Sequence, residues 1–218
     1  AEAAERATSI LLPTLADSFE FEFTESLGHA VDLASRAAAF DTVIALGGDG
    51  VIHEVANGLM QIPGPHRPTL GVLPVGSGND YARSLGMSFK VDRACDQLLK
   101  SMARPVDVGY VNGQWFVETL SFGLDAAIAL DTMERRTRTG RTGTILYMES
   151  GFDQIVNHLD ALDYTMRIDG GDPVSGQSIT FAVQIGPYYG GGFKVCPDAH
   201  LDDDAFDVCI AHPPITRL

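Results

Sequence analysis

Gly47-Gly48-Asp49-Gly50 follows the apolar run Val43-Ile44-Ala45-Leu46, and about thirty residues later Gly76-Ser77-Gly78-Asn79-Asp80 follows Leu70 to Val75. Each reads as a strand, a glycine turn and the start of a helix. Such a turn exposes backbone N–H groups at the carboxyl end of a strand and aims a helix N-terminus outward, which together make an anion site. In an open α/β sheet these turns line the crevice where ligands bind. Two facing one crevice point to a phosphate-bearing ligand. Gly47, Gly48 and Gly50 let a phosphate approach the main chain. Asp49, between them, is costly beside a polyphosphate unless it binds Mg²⁺ or accepts a proton from an attacking hydroxyl. A plain tight turn with an Asp cap would use the same residues. In the second loop Gly76 and Gly78 free the backbone, Ser77 offers a hydroxyl, and Asn79 or Asp80 can cap the next helix. Alone it reads equally well as an ordinary turn; the pair favours phosphate.

Spacing and composition exclude several classes. There is no G-x-x-x-x-G-K-[ST] and no G-x-G-x-x-G at either loop, so neither a P-loop nor the simple dinucleotide fingerprint applies. Val75 stands two residues before Ser77, which rules against a nucleophile elbow, and the protein-kinase loop set is missing. Cys95, Cys196 and Cys209 are widely spaced and odd in number, and no H-E-x-x-H occurs, so disulfides and a zinc hydrolase are not expected. A net charge of −14 argues against nucleic acid and against simple electrostatic docking to anionic lipid. Any membrane contact would be local and largely apolar. No apolar run approaches the roughly 18 residues of a transmembrane segment, and no signal peptide is evident, so the expected location is cytoplasmic.

The 218 residues divide by grammar. The first half predicts an amphipathic helix to residue 16 and a strand at Phe19–Phe23. A helix over 27–39 capped by Ser26 follows, then strand 42–46, helix 51–60, strand 69–73, a short helix after Asn79 and another over 91–101. Strands alternating with helices imply an α/β domain, residues 1–103, with a doubly wound, mostly parallel sheet. The second half, 104–218, reads as a mainly antiparallel β-sandwich domain. Runs 106–111 and 114–120 flank the hairpin signal Asn112-Gly113, further strands lie near 162–168, 178–186 and 205–211, and one helix spans 143–158.

The combination resembles the diacylglycerol kinase catalytic domain family of bacterial lipid kinases, to which sphingosine kinases are related. The motifs are Gly47 to Gly50, Glu54-Val55-Ala56-Asn57-Gly58-Leu59, Pro74 to Arg83, Ser121 to Ala126, Tyr188 to Phe193, Pro197-Asp198-Ala199 and Asp202 to Val208. The resemblance implies transfer of the ATP γ-phosphoryl group to a lipid hydroxyl, most naturally diacylglycerol, presented at a membrane surface. It implies that Thr24 touches the nucleotide, that Gly47, Gly48, Asp49, Gly50, Val51, Ile52 and His53 wrap its phosphates, and that Gly76, Ser77, Gly78 and Asn79 form the second nucleotide loop. Asp49 would orient Mg²⁺-ATP or assist deprotonation. Asp203 would help hold a structural Mg²⁺, although an acidic run is also what a solvated loop looks like. Arg138 and Arg141, in a Gly- and Thr-rich stretch, would contact phosphate.

The chain departs from the family at Val51, where Thr is usual, and at Asp204, where Gly is usual. Asp accepts positive φ less readily than Gly, so Asp204 could alter the metal loop. The family's first strand is expected before residue 1, and its C-terminal acidic motif, with the general base, after Leu218. Two other readings stay open: a kinase of a soluble substrate resembling NAD kinases, which share the Gly-Gly-Asp-Gly turn, and a non-catalytic nucleotide- or lipid-binding regulator. The acceptor lipid is not readable, since acyl pockets use generic apolar side chains. An exposed sheet edge in the second half would let the chain form a homodimer.

Overall fold

The computed structural model describes residues 2–15, 19–141, 143–157 and 160–213. The first half runs α1 (Glu2–Leu15), α2 (His29–Ser35), β1 (Thr42–Gly47), α3 (Asp49–Leu59), β2 (Thr69–Pro74), α4 (Asp80–Ser84) and α5 (Val91–Lys100). β1 and β2 pair in parallel from Thr42 opposite Thr69 to Gly47 opposite Pro74. That register brings both strands to an end at one level, so the two glycine loops leave the sheet side by side. α1 and α5 cover one face through Ala7, Leu11, Leu73, Ala94 and Cys95. α2 and α3 cover the other through Ala30, Ala34, Ile52, Val55, Ala56 and Leu59. Strands buried on both faces must be near-continuously apolar, as Val43–Leu46 and Leu70–Leu73 are.

The second half runs β3 (Gly109–Val111), β4 (Gln114–Phe116), β5 (Thr119–Gly123), α6 (Leu124–Thr139), α7 (Thr144–Asn157), β6 (Leu162–Met166), β7 (Val174–Ser178), β8 (Thr180–Gln184), β9 (Tyr188–Tyr189), β10 (Phe193–Lys194) and β11 (Asp207–Ala211). Among the described residues every pairing here is antiparallel, with β8 between β11 and β5. The β3–β4 hairpin turns on Asn112 and Gly113, both at positive φ, as a two-residue hairpin requires.

Several expectations need correction. Phe19–Phe23 is not a strand: among the described residues no neighbour offers it a ladder, and Phe21 and Phe23 instead pack on each other with ring centroids 4.8 Å apart. Alternation predicts a pleated face only where a partner strand exists. The helix expected over 27–39 is confined to His29–Ser35, because Gly28 adopts a left-handed conformation at its start; Ser26 accepts the His29 N–H through its carbonyl and does not cap with its side chain. The strand expected over 106–111 is reduced to β3, and the run 114–120 breaks at Val117 and Glu118. α6 and β7 were not anticipated. α6 is rich in Thr, Arg and acid, and its apolar periodicity is weak.

The run Glu54 to Leu59 turns out to be architectural. Glu54 Oε2 accepts the Ala30 N–H at 3.2 Å, satisfying a donor in the first turn of α2. Asn57 Oδ1 accepts the Trp115 N–H and its Nδ2 donates to the Trp115 carbonyl, each at 2.9 Å, which fastens β4 onto α3. Gly58 lets α2 lie against α3, since a Cβ there would sit 2.4 Å from the Val31 carbonyl oxygen and 2.7 Å from Ala34 Cβ.

Gly→Ala substitutions should therefore act in opposite directions in two helices. Gly58→Ala is expected to destabilise by about 3 kcal/mol through overpacking against backbone. At Gly151 in α7, where a new Cβ would approach nothing nearer than Ile128 Cδ1 at 3.8 Å, alanine should stabilise by roughly 0.5–1 kcal/mol. Urea denaturation of both variants checks the signs.

Candidate functional site

The two glycine loops touch through their backbones. A Cβ on Gly76 would lie 2.3 Å from Gly48 Cα, and one on Gly48 would lie 3.0 Å from Gly76 Cα. Gly47 is also required: a Cβ there would fall 2.6 Å from Val51 Cβ, so Val51 closes over the strand end. Gly48 opens α3 without any side-chain cap, and the first internal bond of the helix is Ile52 N–H to the Gly48 carbonyl at 3.1 Å. The N–H groups of Asp49, Gly50 and Val51 thus lack intrahelical partners, and Gly50 has open space where a side chain would stand.

Asn79 shapes the second loop from within. Its Oδ1 accepts the Gly76 N–H at 2.9 Å and its Nδ2 donates to the Gly76 carbonyl at 2.8 Å, while its own backbone sits at φ 58°. The side chain is consumed in holding the loop. Ser77 is exposed at its tip, and Gly78 leaves room for Asp49, whose Oδ2 would lie 2.9 Å from a Cβ at that position. Asp49 Oδ1 in turn accepts the Tyr81 N–H at 3.2 Å, linking the first loop to α4.

A cleft of about 300 Å³ opens beside these loops, between the halves of the chain. The α/β half contributes Asp49, His53, Asp80 and Tyr81; the β half contributes Glu118, Ser121, Asp125, Tyr147 and Tyr189. Asp80, Glu118 and Asp125 are almost fully buried. Asp80 Oδ2 accepts the Gly191 N–H at 2.8 Å, and its Oδ1 has no partner among the described residues. Glu118 Oε1 accepts from the Ser84 hydroxyl and from the Tyr188 N–H, leaving Oε2 without a partner among the described residues. Among the described residues neither carboxylate oxygen of Asp125 has a partner in hydrogen-bond geometry.

Burial raises the pKa of Asp80, against the opposing Gly191 N–H, and neighbouring Asp49 pushes it further up. Burial likewise pushes Glu118 to about 8, with Ser84 and Tyr188 opposing and Asp80 and Asp49 adding. Asp125 is raised by burial, Tyr189 to about 12 by burial and the Asp125 charge, and His53 is lowered by burial. Among the described residues no Lys or Arg lines this cleft; the nearby Arg83 guanidinium lies 4.7 Å from the Phe89 ring centroid and 5.6 Å from that of Tyr188. Clustered carboxyls of this kind must hold protons or receive a cation. Hard oxygen donors with orphaned lone pairs fit Mg²⁺, and the uncapped helix start with its glycines fits phosphate.

The structure thus brings together Gly47, Gly48, Asp49, Gly50, Val51, Gly76, Ser77 and Gly78, with His53 on the cleft wall. Ile52 is different, because its side chain is wholly buried in the core and its N–H is used by the helix. Thr24 is exposed in the unpaired segment before α2, and among the described residues no hydrogen bond joins it to either loop. Arg138 belongs to the last turn of α6, roughly 20 Å along the helix from Asp125 at 1.5 Å per residue. Arg141 is engaged by Glu149 through two bonds of 3.0 and 2.7 Å. Among the described residues no hydrogen bond joins either arginine to a glycine loop; Arg138 is helical and Arg141 follows the end of α6.

Asp203 Oδ1 accepts the Ala205 N–H at 3.2 Å, and Asp107 Oδ2 accepts the Asp204 N–H at 2.9 Å. Among the described residues no group of three or more His, Cys, Asp or Glu side chains is arranged to hold a metal. Asp204 adopts φ 60°, so the left-handed turn persists without glycine. Sequence reasoning offered Asp80 only as a helix cap and assigned no role to Glu118, Asp125, Tyr147 or Tyr189. Glu118 carries a visible signal, being a lone acid inside Phe116-Val117-Glu118-Thr119-Leu120.

Comparison with known proteins gives two family matches. Residues 2–111 match the diacylglycerol kinase catalytic domain, and residues 118–217 match the YegS C-terminal NAD kinase beta sandwich-like domain. A diacylglycerol kinase of Bacillus subtilis (strain 168) is 37% identical over 191 residues, covering 86% of this chain and 61% of the relative. One of Staphylococcus aureus (strain JH9) is 31% identical over 189 residues, covering 86% and 58%. The chain therefore spans about three-fifths of the length of these relatives. A solved diacylglycerol kinase structure from Bacillus anthracis str. Sterne superposes with a TM-score of 0.73 at 24% identity, over 95% of this chain and 70% of that one, a likeness of fold. Another from the same strain gives 0.76 at 25% identity, over 95% and 68%.

Glu118 makes stability pH-dependent with a definite sign. Its folded carboxyl keeps a proton up to about pH 8, whereas the unfolded one releases it near 4.5. Between those values the folded state binds the extra proton, so stability falls as pH rises and levels off above about 8. Glu118→Gln should remove that slope and stabilise the chain at pH 8.5 by on the order of 3 kcal/mol, with little change at pH 5, as read by thermal melts. Asp204→Gly should stabilise by up to ~1 kcal/mol by relieving the positive φ, measurable in the same melts.

Proposed function

The chain belongs to the diacylglycerol kinase catalytic domain family, and from that premise we propose that it transfers the γ-phosphoryl group of ATP to a lipid hydroxyl, with diacylglycerol as the acceptor. One observation carries the reading: the Gly48–Gly76 backbone contact sets the uncapped start of α3 and Asp49 beside a cleft whose buried carboxyls lack partners. The first feature suits a polyphosphate, the second an attacking hydroxyl and its counter-charges. The α/β half, 1–103, holds the nucleotide in this reading, and the β half, 104–218, holds the lipid.

The N–H groups of Asp49, Gly50 and Val51 and the backbone of Gly76 to Gly78 would bind phosphate oxygens, with the Ser77 hydroxyl closing the loop. Thr24 would reach the nucleotide from the segment before α2. Val51 supplies its N–H but no hydroxyl. Phosphoryl transfer needs positioning and charge stabilisation more than covalent chemistry, which suits two backbone nests. Mg²⁺, held by Asp49 and Asp80, would neutralise charge building on the transferring oxygens. Asp49 would also assist the departure of the hydroxyl proton, and Glu118 and Asp125 would accept hydrogen bonds from the acceptor. Asp203, with neighbouring carbonyls, would take a structural Mg²⁺.

Among the described residues no helix is long and apolar enough to cross a membrane. The lipid would then be taken from a membrane surface by a protein working peripherally, on the cytoplasmic side. Pairing of two copies through β5 or β11, the outer strands of their sheet, belongs to the same reading and would double the mass in sedimentation equilibrium.

Asp49→Asn tests the assignment without disturbing the loop, because the amide oxygen can still accept the Tyr81 N–H. Label transfer from ATP to diacylglycerol should fall at least about a hundredfold with the fold intact by circular dichroism. Undiminished transfer would remove Asp49 from the reaction. Label on NAD with none on lipid would overturn the acceptor class.

A further inference from the structure

Tyr147 and Tyr189 line the cleft from different elements, and both are half-buried. Tyr147 comes from α7, and its hydroxyl lies beside the turn after β9, where a Cβ on Gly190 would stand 3.3 Å from Oη. Tyr189 belongs to β9, whose successive side chains point to opposite faces. Tyr188 packs on the Arg83 guanidinium, and Tyr189 turns into the cleft. Among the described residues no hydrogen bond engages either phenol hydroxyl. Asp125, from the same half of the chain, is 5% exposed, and neither of its oxygens has a partner among the described residues. Burial and the Asp125 charge raise the pKa of both phenols, that of Tyr189 to about 12, so both stay protonated and remain donors at neutral pH. Donors and acceptors thus sit within electrostatic reach of each other without bonding. A buried acceptor left in that state is costly, and a ligand carrying both kinds of group would satisfy it.

We infer that Tyr147 and Tyr189 form a subsite for the ester carbonyls of the acceptor lipid and make the protein selective for ester-linked glycerolipids. A diacylglycerol has one free hydroxyl, which donates, and two ester carbonyls, which only accept. The cleft carboxyls suit the hydroxyl. For the carbonyls, among the described residues the cleft has no Lys or Arg; the Thr119 hydroxyl is spent on Gln184 Oε1 at 2.9 Å, and Ser121 faces Asp125. The phenols are the donors left on the β half. An acceptor without those carbonyls would leave both phenols unmatched, which a site built to hydrogen-bond rejects more strongly than a lost apolar contact. A cleft of about 300 Å³ is at the lower end of sites that enclose a drug-sized ligand, so it takes the glycerol and its esters and leaves long acyl chains outside. Selectivity therefore falls on the linkage and not on chain length. The inference rests on the lipid-kinase reading and refines its acceptor.

The test is label transfer from ATP by the full-length protein, in detergent micelles, to dioctanoylglycerol and to its ether counterpart dioctylglycerol, which keeps the hydroxyl and lacks both carbonyls. The wild type should favour the ester by at least about tenfold in kcat/KM, with the preference lying in KM. Tyr147→Phe and Tyr189→Phe keep the rings. Each should raise KM for the ester by about threefold or more while moving the ether far less, and the double variant should treat the two lipids alike. Equal use of both lipids by the wild type would overturn the inference. So would variants that lower both activities in proportion, since a folding role cannot tell the linkages apart. Should neither lipid be phosphorylated, thermal melts with each lipid decide. Stabilisation by the ester alone, absent from the double variant, would keep the subsite and refute the proposed function; no difference between the lipids would overturn both.

Discussion

The approach of Gly48 to Gly76 is the constraint on which the site depends. Parallel strands in register end at the same level, so the loops leaving β1 and β2 must share one small volume. Side chains at both positions would push the loops apart by more than either could absorb, given the 2.3 Å a Cβ on Gly76 would leave. With both absent, the backbones meet, and the dipole of α3 points into the space they define. Asn79 then fixes the second loop by bonding both polar backbone atoms of Gly76. Asp49 ties the first loop to α4 through Tyr81. The chemistry-bearing atoms are held by main chain, which moves less than rotamers do.

The cleft makes the opposite trade. Among the described residues, Asp80, Glu118 and Asp125 are buried with oxygens that find no partner. An unsatisfied buried polar group costs about 1–3 kcal/mol, more when charged. A fold selected for stability alone would replace them with apolar residues. Their pKa values show how the free protein limits the cost, with burial driving all three toward the protonated, neutral form. A cation or a hydroxyl-bearing ligand entering the cleft would supply the missing partners, so the groups that weaken the free chain are those that gain most on binding.

Much of this was legible from residues alone. The glycine loops, their strands and the Asn112-Gly113 hairpin are local features, and local backbone chemistry determines them. What escaped depends on partners far away in sequence. Phe19–Phe23 has the alternation of a strand but no ladder to join. Glu118 looks like an acid in a β-strand until Ser84 and Tyr188 close around it. α6 hides because its buried contacts come from Asp125, Ile128 and Thr132, too few and too polar to set up a clear helical period.

The motif Glu54 to Leu59 carries a general point about signatures. It sits on the helix that begins at the nucleotide loop, yet its residues act outward from the site. Glu54 orders α2, Gly58 seats α2 against α3, and Asn57 grips the backbone of Trp115. That grip matters most, because β4 leads within two residues to Glu118. A helix whose first turn faces one wall of the cleft therefore sets, two turns later, where the opposite wall stands. The distance across the cleft is built into α3 itself, and a substitution at Asn57 would act on the chemistry without touching anything that reacts.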